Sequence, residues 1–143
     1  MQVEPLIGEG EARGGDNGRK RDHALTLQNQ GQVNHLPYMP VPPNWPVYIP
    51  KDKLANWFEA YVESMELNYW SSTEFESGSY DDRDERWSVV LRRSDGSRRT
   101  MHPRHGVLAT CVSGIPTWPD LPGLNTFAGT VIQKNVFAGQ MIQ

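Results

Sequence analysis

A chain of 143 residues with a formal net charge of -3 and one cysteine has the length of a single domain and the apolar and charged fractions of an ordinary globular protein. That charge balance gives no electrostatic argument for nucleic acid as a partner, and a lone Cys111 excludes an internal disulfide framework and points to a reducing, cytoplasmic setting. No apolar run approaches the roughly 20 residues of a membrane-spanning helix, and 13 glycines with 11 prolines mark a loop-rich chain with a modest core.

Residues Met1 to Asp22 are rich in glycine and charge and lack apolar periodicity beyond Leu6-Ile7, so composition predicts a disordered or loosely held arm. Leu25-Thr26-Leu27 starts a short extended segment, followed by an amide-rich run from Gln28 to Asn34. From His35 to Pro50, six prolines forbid helix and central strand alike, because each lacks a backbone donor and fixes its own φ. The interleaved Tyr38, Trp45 and Tyr48 suggest an extended segment lying across a surface that it partly buries.

After Pro50 the pattern turns helical. Leu54, Trp57, Phe58, Tyr61, Val62 and Met65 recur at spacings of three and four, while Lys51, Asp52, Lys53, Glu59 and Glu63 lie elsewhere. Pro50 suits the helix start, and Asp52 suits its positive end. Asn68 to Glu76 reads as a strand, Asp81 to Glu85 as a polar turn, and Trp87 to Arg92 as a second strand. Ser94-Asp95-Gly96-Ser97 carries an Asp-Gly hairpin signal, with Arg99 to His102 as the returning strand. Val107-Leu108-Ala109-Thr110-Cys111-Val112 reads as a buried strand that delivers a tight turn of small residues, glycines and prolines up to Gly123. Such a turn lets backbone approach another chain segment or a flat polar ligand.

Side-chain chemistry is sparse. The four histidines, His23, His35, His102 and His105, have no metal-ligand spacing, and no Gly-x-Gly-x-x-Gly or P-loop occurs. Cys111 is either a nucleophile at a strand end or a small buried hydrophobe. The residues alone support an α/β domain and leave the function open.

The ordered set from Asn34 to Thr130 resembles the flavin-containing monooxygenase family, in particular its microbial and plant-type members. The matching pieces are Leu36-Pro37-Tyr38-Met39-Pro40-Val41-Pro42, the helix after Pro50, the meander, and Val107-Leu108-Ala109-Thr110-Cys111 with Gly114-Ile115-Pro116 and Pro119. Glu11 to Leu27 is similar to the family's Gly-Gly segment. The chain departs from the pattern at Cys111 and Gly18, which replace a glycine and a tryptophan, and at Gln133, which replaces a histidine. Both glycine-rich phosphate loops are missing from the sequence; the first would precede Met1.

The resemblance implies an α/β fold: a partial FAD/NAD(P)-binding Rossmann-like domain over residues 1–143, with one amphipathic helix and a small β-meander. Residues 1–22 would be an arm, and 114–143 a truncated crossing toward the NAD(P) domain. It implies FAD and NADPH as cofactors and a reaction in which NADPH and O2 oxygenate a small organic substrate through FAD. No nucleic acid, membrane or metal is implied. By position, Gly14 and Gly15 would lie near the dinucleotide linkage, Gln28 near the isoalloxazine and Glu74-Phe75 near the adenine. Ala109-Thr110-Cys111 would mark the interdomain crossing, with Phe127 and Gly129 toward the NADPH domain. The missing loops remove the main pyrophosphate donors, so an inactive isolated chain is expected. The competing reading is a non-catalytic remnant or interaction module without cofactor. With a neighbouring βαβ unit absent, the Trp57, Tyr61 and Met65 face should be partly uncovered, and self-association through exposed apolar surface is expected.

Overall fold

The computed structural model describes residues 5–110 and 119–131. In chain order it contains a short strand β1 (Ile7–Gly8), a one-turn helix α1 (Asp16–Arg19), a 3-10 turn (Gly31–Val33), the long helix α2 (Lys51–Ser64), strands β2 (Tyr69–Trp70), β3 (Thr73–Asp81), β4 (Arg86–Arg93) and β5 (Arg98–Met101), and a 3-10 turn at Leu124–Thr126. β1 and β2 form a parallel pair, and β3-β4-β5 form a separate antiparallel sheet. This is the mixed helix and sheet architecture expected from the sequence, with one amphipathic helix and a β-meander.

The core forms where the proline-rich segment crosses α2. Pro50 stands at the N-cap of α2 in an extended conformation, and Asp52 sits in the first turn. Ile49 is 0% exposed and packs with Val41 and Trp57, flanked by Leu27, Leu36, Met39, Trp45, Leu54 and Phe58. The backbone holds this layer in place: Leu27 N donates to Ile49 O at 2.9 Å, Gly31 N to Val47 O at 2.8 Å and Lys51 N to Leu25 O at 2.9 Å. Prolines cannot supply such donors; the amides come from Leu27, Gly31 and Lys51, and the proline-rich segment contributes the Val47 and Ile49 carbonyls. Gly31 is glycine for a steric reason, since a Cβ there would lie 2.5 Å from Ile49 Cδ1. Of the three interleaved aromatics, only Trp45 joins the core; Tyr38 and Tyr48 are exposed.

The α2 face matches the expected apolar spacing, and Tyr61 and Met65 are partly exposed as expected, but Trp57 is not. Trp57 is 4% exposed, because Val41 and Ile49 of the proline-rich segment lie on it and the Phe58 and Tyr61 rings stand 5.5 and 6.0 Å from its own. The helix closes with Glu66 at φ 49, and Leu67 N donates back to Val62 O at 3.1 Å.

Two further sequence expectations are corrected. Residues 5–22 do not form a loose arm: β1 pairs with β2 in the register Ile7↔Tyr69 and Gly8↔Trp70, and α1 packs on α2. The expected strand from Asn68 to Glu76 is two strands, broken at Ser72 (φ 50), where Ser72 N donates to Glu11 O and Thr73 N to Glu9 O. The chain thereby leaves the parallel pair and enters the meander. There β3 pairs with β4 around a bulge between Phe75 and Ser77, and β4 pairs with β5. The polar turn after Asp81 is tied by Arg83 N to Asp81 Oδ1 at 2.8 Å, and the Asp-Gly turn places Gly96 at φ 81.

The buried strand expected from Val107 is not formed over 107–110. Val107 and Leu108 are 89% and 73% exposed, and Ala109 and Thr110 are exposed as well. A strand requires a neighbour to receive its backbone groups, and none of the five strands pairs with this run. Cys111, Val112 and the turn up to Trp118 lie outside the described residues. Among the described residues, no helix is long and apolar enough to cross a membrane.

The fully buried Ile49 gives the first test. Ile49→Ala should destabilise the chain by about 2–5 kcal/mol, the range for a core truncation that leaves a cavity, whereas Tyr38→Ala should stay within about 0.5 kcal/mol. Urea unfolding followed by circular dichroism reads both.

Candidate functional site

The parallel pair defines the place to look, because ligands of open α/β sheets lie beyond the carboxyl ends of the strands. Glu9 and Gly10 follow β1 at that edge, and Ser71 and Ser72 follow β2. Glu9 is a chemically apt residue there, since an acidic side chain at a strand end can accept hydrogen bonds from a ribose diol. Its Oε1 already accepts from Glu11 N at 3.1 Å, and its backbone N donates to Trp70 O at 2.9 Å. Sequence reasoning missed Glu9 within an acid-rich arm; the only available signal was its place just after the apolar Leu6-Ile7 pair.

Behind this edge, α1 is clamped to α2 by one arginine. Arg19 Nη1 donates to Gly14 O at 2.9 Å and to Asp16 Oδ1 at 2.8 Å. Its Nη2 donates to Asn56 Oδ1 at 2.8 Å and to Glu59 Oε2 at 2.7 Å. Lys51 Nζ donates to Arg19 O at 2.6 Å. The hydrogen bond from Arg19 holds the Asp16 carboxyl below its ordinary value of 3.8. Burial pushes the Tyr69 phenol up to about 12, with the charges of Glu9, Asp16 and Glu59 acting in the same direction.

The sequence-predicted residues are distributed unevenly around this frame. Gly15 is the left-handed residue (φ 85) that starts α1, and a Cβ there would lie 2.6 Å from Ala55 O and 2.7 Å from Ala55 Cα. Gly14 has no such constraint; its Cβ would meet Glu59 Cα at 3.5 Å and the Tyr69 hydroxyl at 3.7 Å. Gln28 is exposed. Glu74 forms an ion pair with Arg92 on the meander, and its Cγ lies 3.5 Å from the Cβ position of Gly10. Phe75 is half exposed and lies under Gly78. Ala109 and Thr110 are exposed, and Cys111 is outside the described residues. Phe127 folds back on Gly129, whose Cβ position is 2.5 Å from the Phe127 ring. The structure thus places Gly14 and Gly15 against α2, Glu74 beside Gly10 at the end of β1, and Phe127 and Gly129 against each other.

A dinucleotide fits this edge only in part. Glu9 fits a diol. A pyrophosphate cradle requires free amides on a glycine-rich turn, and here the amides of Glu9, Glu11, Ser72 and Thr73 are already donated within the protein. Among the described residues, no group of three or more His, Cys, Asp or Glu side chains could hold a metal ion.

No protein-family model matches the chain. Among solved structures, OTEMO in complex with FAD and NADP superposes with a TM-score of 0.62 at 20% identity, over 85% of this chain and 23% of that one. A flavin-containing monooxygenase from Stenotrophomonas maltophilia does so with a TM-score of 0.58 at 22% identity, over 69% and 28%. The fold is that of part of a Rossmann-like FAD/NAD(P)-binding oxidoreductase. The sequence narrows this class: the chain is 30% identical over 113 residues to the indole-3-pyruvate monooxygenase YUCCA1 of Oryza sativa subsp. japonica, covering 79% of this chain and 27% of the relative. The chain is a relative of the flavin-containing monooxygenases, and its matched part spans 24% to 30% of the length of the curated relatives.

Gly14 and Gly15 are adjacent and chemically identical, so they separate packing from loop behaviour. Gly15→Ala should cost about 2 kcal/mol or more, because it combines a positive φ with a clash against helix backbone, whereas Gly14→Ala should cost under about 1 kcal/mol. Denaturant midpoints of the two variants decide this.

Tyr69 supplies a pH test. Its folded-state value of about 12 lies above the ordinary 10.0, so the associated stability is fully present below pH 10 and is lost as pH rises through 12. The late ultraviolet ionisation step should vanish in Tyr69→Phe, and that variant should lose less stability than the parent between neutral and strongly alkaline pH.

Proposed function

We propose that this chain contributes part of the FAD domain of a flavin-dependent monooxygenase architecture that uses NADPH and O2 to oxygenate a small organic substrate. The observation that carries the reading is the parallel β1–β2 pair with Glu9 at the carboxyl end of β1. In this assignment Glu9 accepts from the ribose hydroxyls of the FAD adenosine, and the Glu74-Phe75 backbone borders the adenine. Gly14 and Gly15 form the turn near the dinucleotide linkage, and Gln28 faces the isoalloxazine side. Ala109-Thr110-Cys111 belongs to the interdomain crossing, with Phe127 and Gly129 toward the NADPH domain. When bound, FAD supplies the redox and oxygen chemistry; the chain's residues bind and orient it.

A second reading, a binding module without cofactor, is favoured by one observation: the amides of Glu9, Glu11, Ser72 and Thr73 at the strand ends are already donated within the chain. The isolated chain therefore holds FAD weakly and does not turn over. The purified chain should be colourless, and added FAD should bind with an affinity in about the high-micromolar range that falls roughly tenfold in Glu9→Gln. Fluorescence quenching of FAD measures this. Absence of any FAD binding favours the cofactor-free module, and a yellow protein with NADPH-dependent oxygen uptake overturns the inactive assignment.

A further inference from the structure

The two faces of the meander handle their arginines differently. In the β3–β4 and β4–β5 registers, Glu74 is opposite Arg92, and Arg92 is opposite Arg98. Side chains alternate across a sheet, so Arg92 and Arg98 share one face and Arg93 and Arg99 the other. On the first face each arginine has a carboxylate: Arg92 pairs with Glu74, and Arg98 grips Glu76 through two bonds of 2.7 and 2.9 Å. On the second face, both guanidiniums converge on one indole, Arg93 at 5.1 Å and Arg99 at 4.9 Å from the Trp70 ring centroid. Neither forms an ion pair among the described residues. Cation–π attraction is worth only about 0.5–1 kcal/mol at exposed sites, and two like charges over one ring repel.

A polar cavity of about 700 Å³ elsewhere mixes Asp84 and Glu85 with Arg86 and Arg104 and selects no charge. The cavity beside Trp70 differs. It measures about 350 Å³ and is lined by Tyr69 and Trp70, Ser71 and Ser72, and Arg93, Ser94 and Asp95; Arg99 is outside this lining and meets it at the Trp70 ring. It opens where β2 ends, on the ligand edge of the parallel pair. Ser94 N donates to Ser72 O at 3.1 Å, which ties the two walls together. Asp95 lines the same cavity as Arg93; its carboxylate accepts from Ser97 N at 2.8 Å, and the Ser97 hydrogen bonds, with the Arg93 charge as a lesser cause, hold it below its ordinary value.

We propose that Arg93 and Arg99, with the hydroxyls of Ser71, Ser72 and Ser94, form a binding site for a phosphate dianion, free or carried as a phosphomonoester. A tetrahedral dianion neutralises both guanidiniums, its oxygens match their planar forks, and the serines supply neutral donors. The site is separate from Glu9 and does not rest on the assignment of FAD.

The test titrates inorganic phosphate into the full chain at constant ionic strength, following the Trp70 indole NH resonance, assigned with Trp70→Phe. Saturable binding is expected, weakened about tenfold for each of Arg93→Gln and Arg99→Gln and unchanged within about twofold in Arg92→Gln/Arg98→Gln. Arg93→Lys/Arg99→Lys keeps the charge and guards against misfolding of the glutamine variants; it should retain part of the affinity. Adenosine 2′-monophosphate and adenosine distinguish the sources: tighter binding of the former than of inorganic phosphate identifies a phosphomonoester, equal binding identifies the free anion, and adenosine alone should not bind. No saturation below about 20 mM phosphate, or an equal loss in the Arg92/Arg98 pair, overturns the proposal.

Discussion

One close approach organises the N-terminal half of the molecule: the backbone of Gly15 lies against that of Ala55, nearer than any side chain allows. A four-residue helix has no stability of its own, so α1 exists because tertiary contacts hold it. Arg19 reaches from α1 to Asn56 and Glu59 while holding the Gly14 carbonyl, and Lys51 returns from α2 to the Arg19 carbonyl. With α1 fixed, the preceding residues are delivered to Tyr69 and Trp70, and the parallel ladder forms. Loss of the approach at Gly15 would therefore be felt at β1, at the opposite end of the segment.

This dependence explains what was legible in the residues and what was not. α2 and the meander announce themselves through short-range patterns, apolar spacings of three and four from Leu54 to Met65 and an Asp-Gly turn between two β-prone runs. The arm carries no such pattern. A glycine required for close packing and a glycine in a loop are the same letter, and Gly15 differs from Gly14 only through a helix 40 positions away. Val107 to Thr110 shows the converse: the run is apolar and β-prone, yet propensity makes a strand only where another backbone receives it. Glu9 was hidden among acids, and only the parallel pairing singles it out.

The Gly-Gly segment also shows how a resemblance and a geometry divide the same residues. By position, both glycines belong to a flavin-proximal turn. In the structure, Gly15 faces Ala55, and Gly14 offers its carbonyl to Arg19 while a Cβ there would meet only ordinary contacts. The absence of a side chain at 15 is thus accounted for by packing. Whatever a ligand requires of this turn falls on Gly14 and on the carboxyl side of β1.

That carboxyl edge is electrically divided. At the end of β1 stand Glu9 and Glu11, the latter paired with Lys20, and the backbone amides there are engaged within the protein. At the end of β2 stand Ser71 and Ser72, beside the indole on which Arg93 and Arg99 converge. One end offers carboxylate acceptors suited to hydroxyl donors, and the other offers cationic donors suited to an oxyanion. The two ends of the edge therefore differ in the ligand chemistry that each suits. The two ends are held together by more than the two-residue ladder, because Ser72 N donates to Glu11 O and Thr73 N to Glu9 O just beyond it, so the carboxylate end and the cationic end keep a fixed relation.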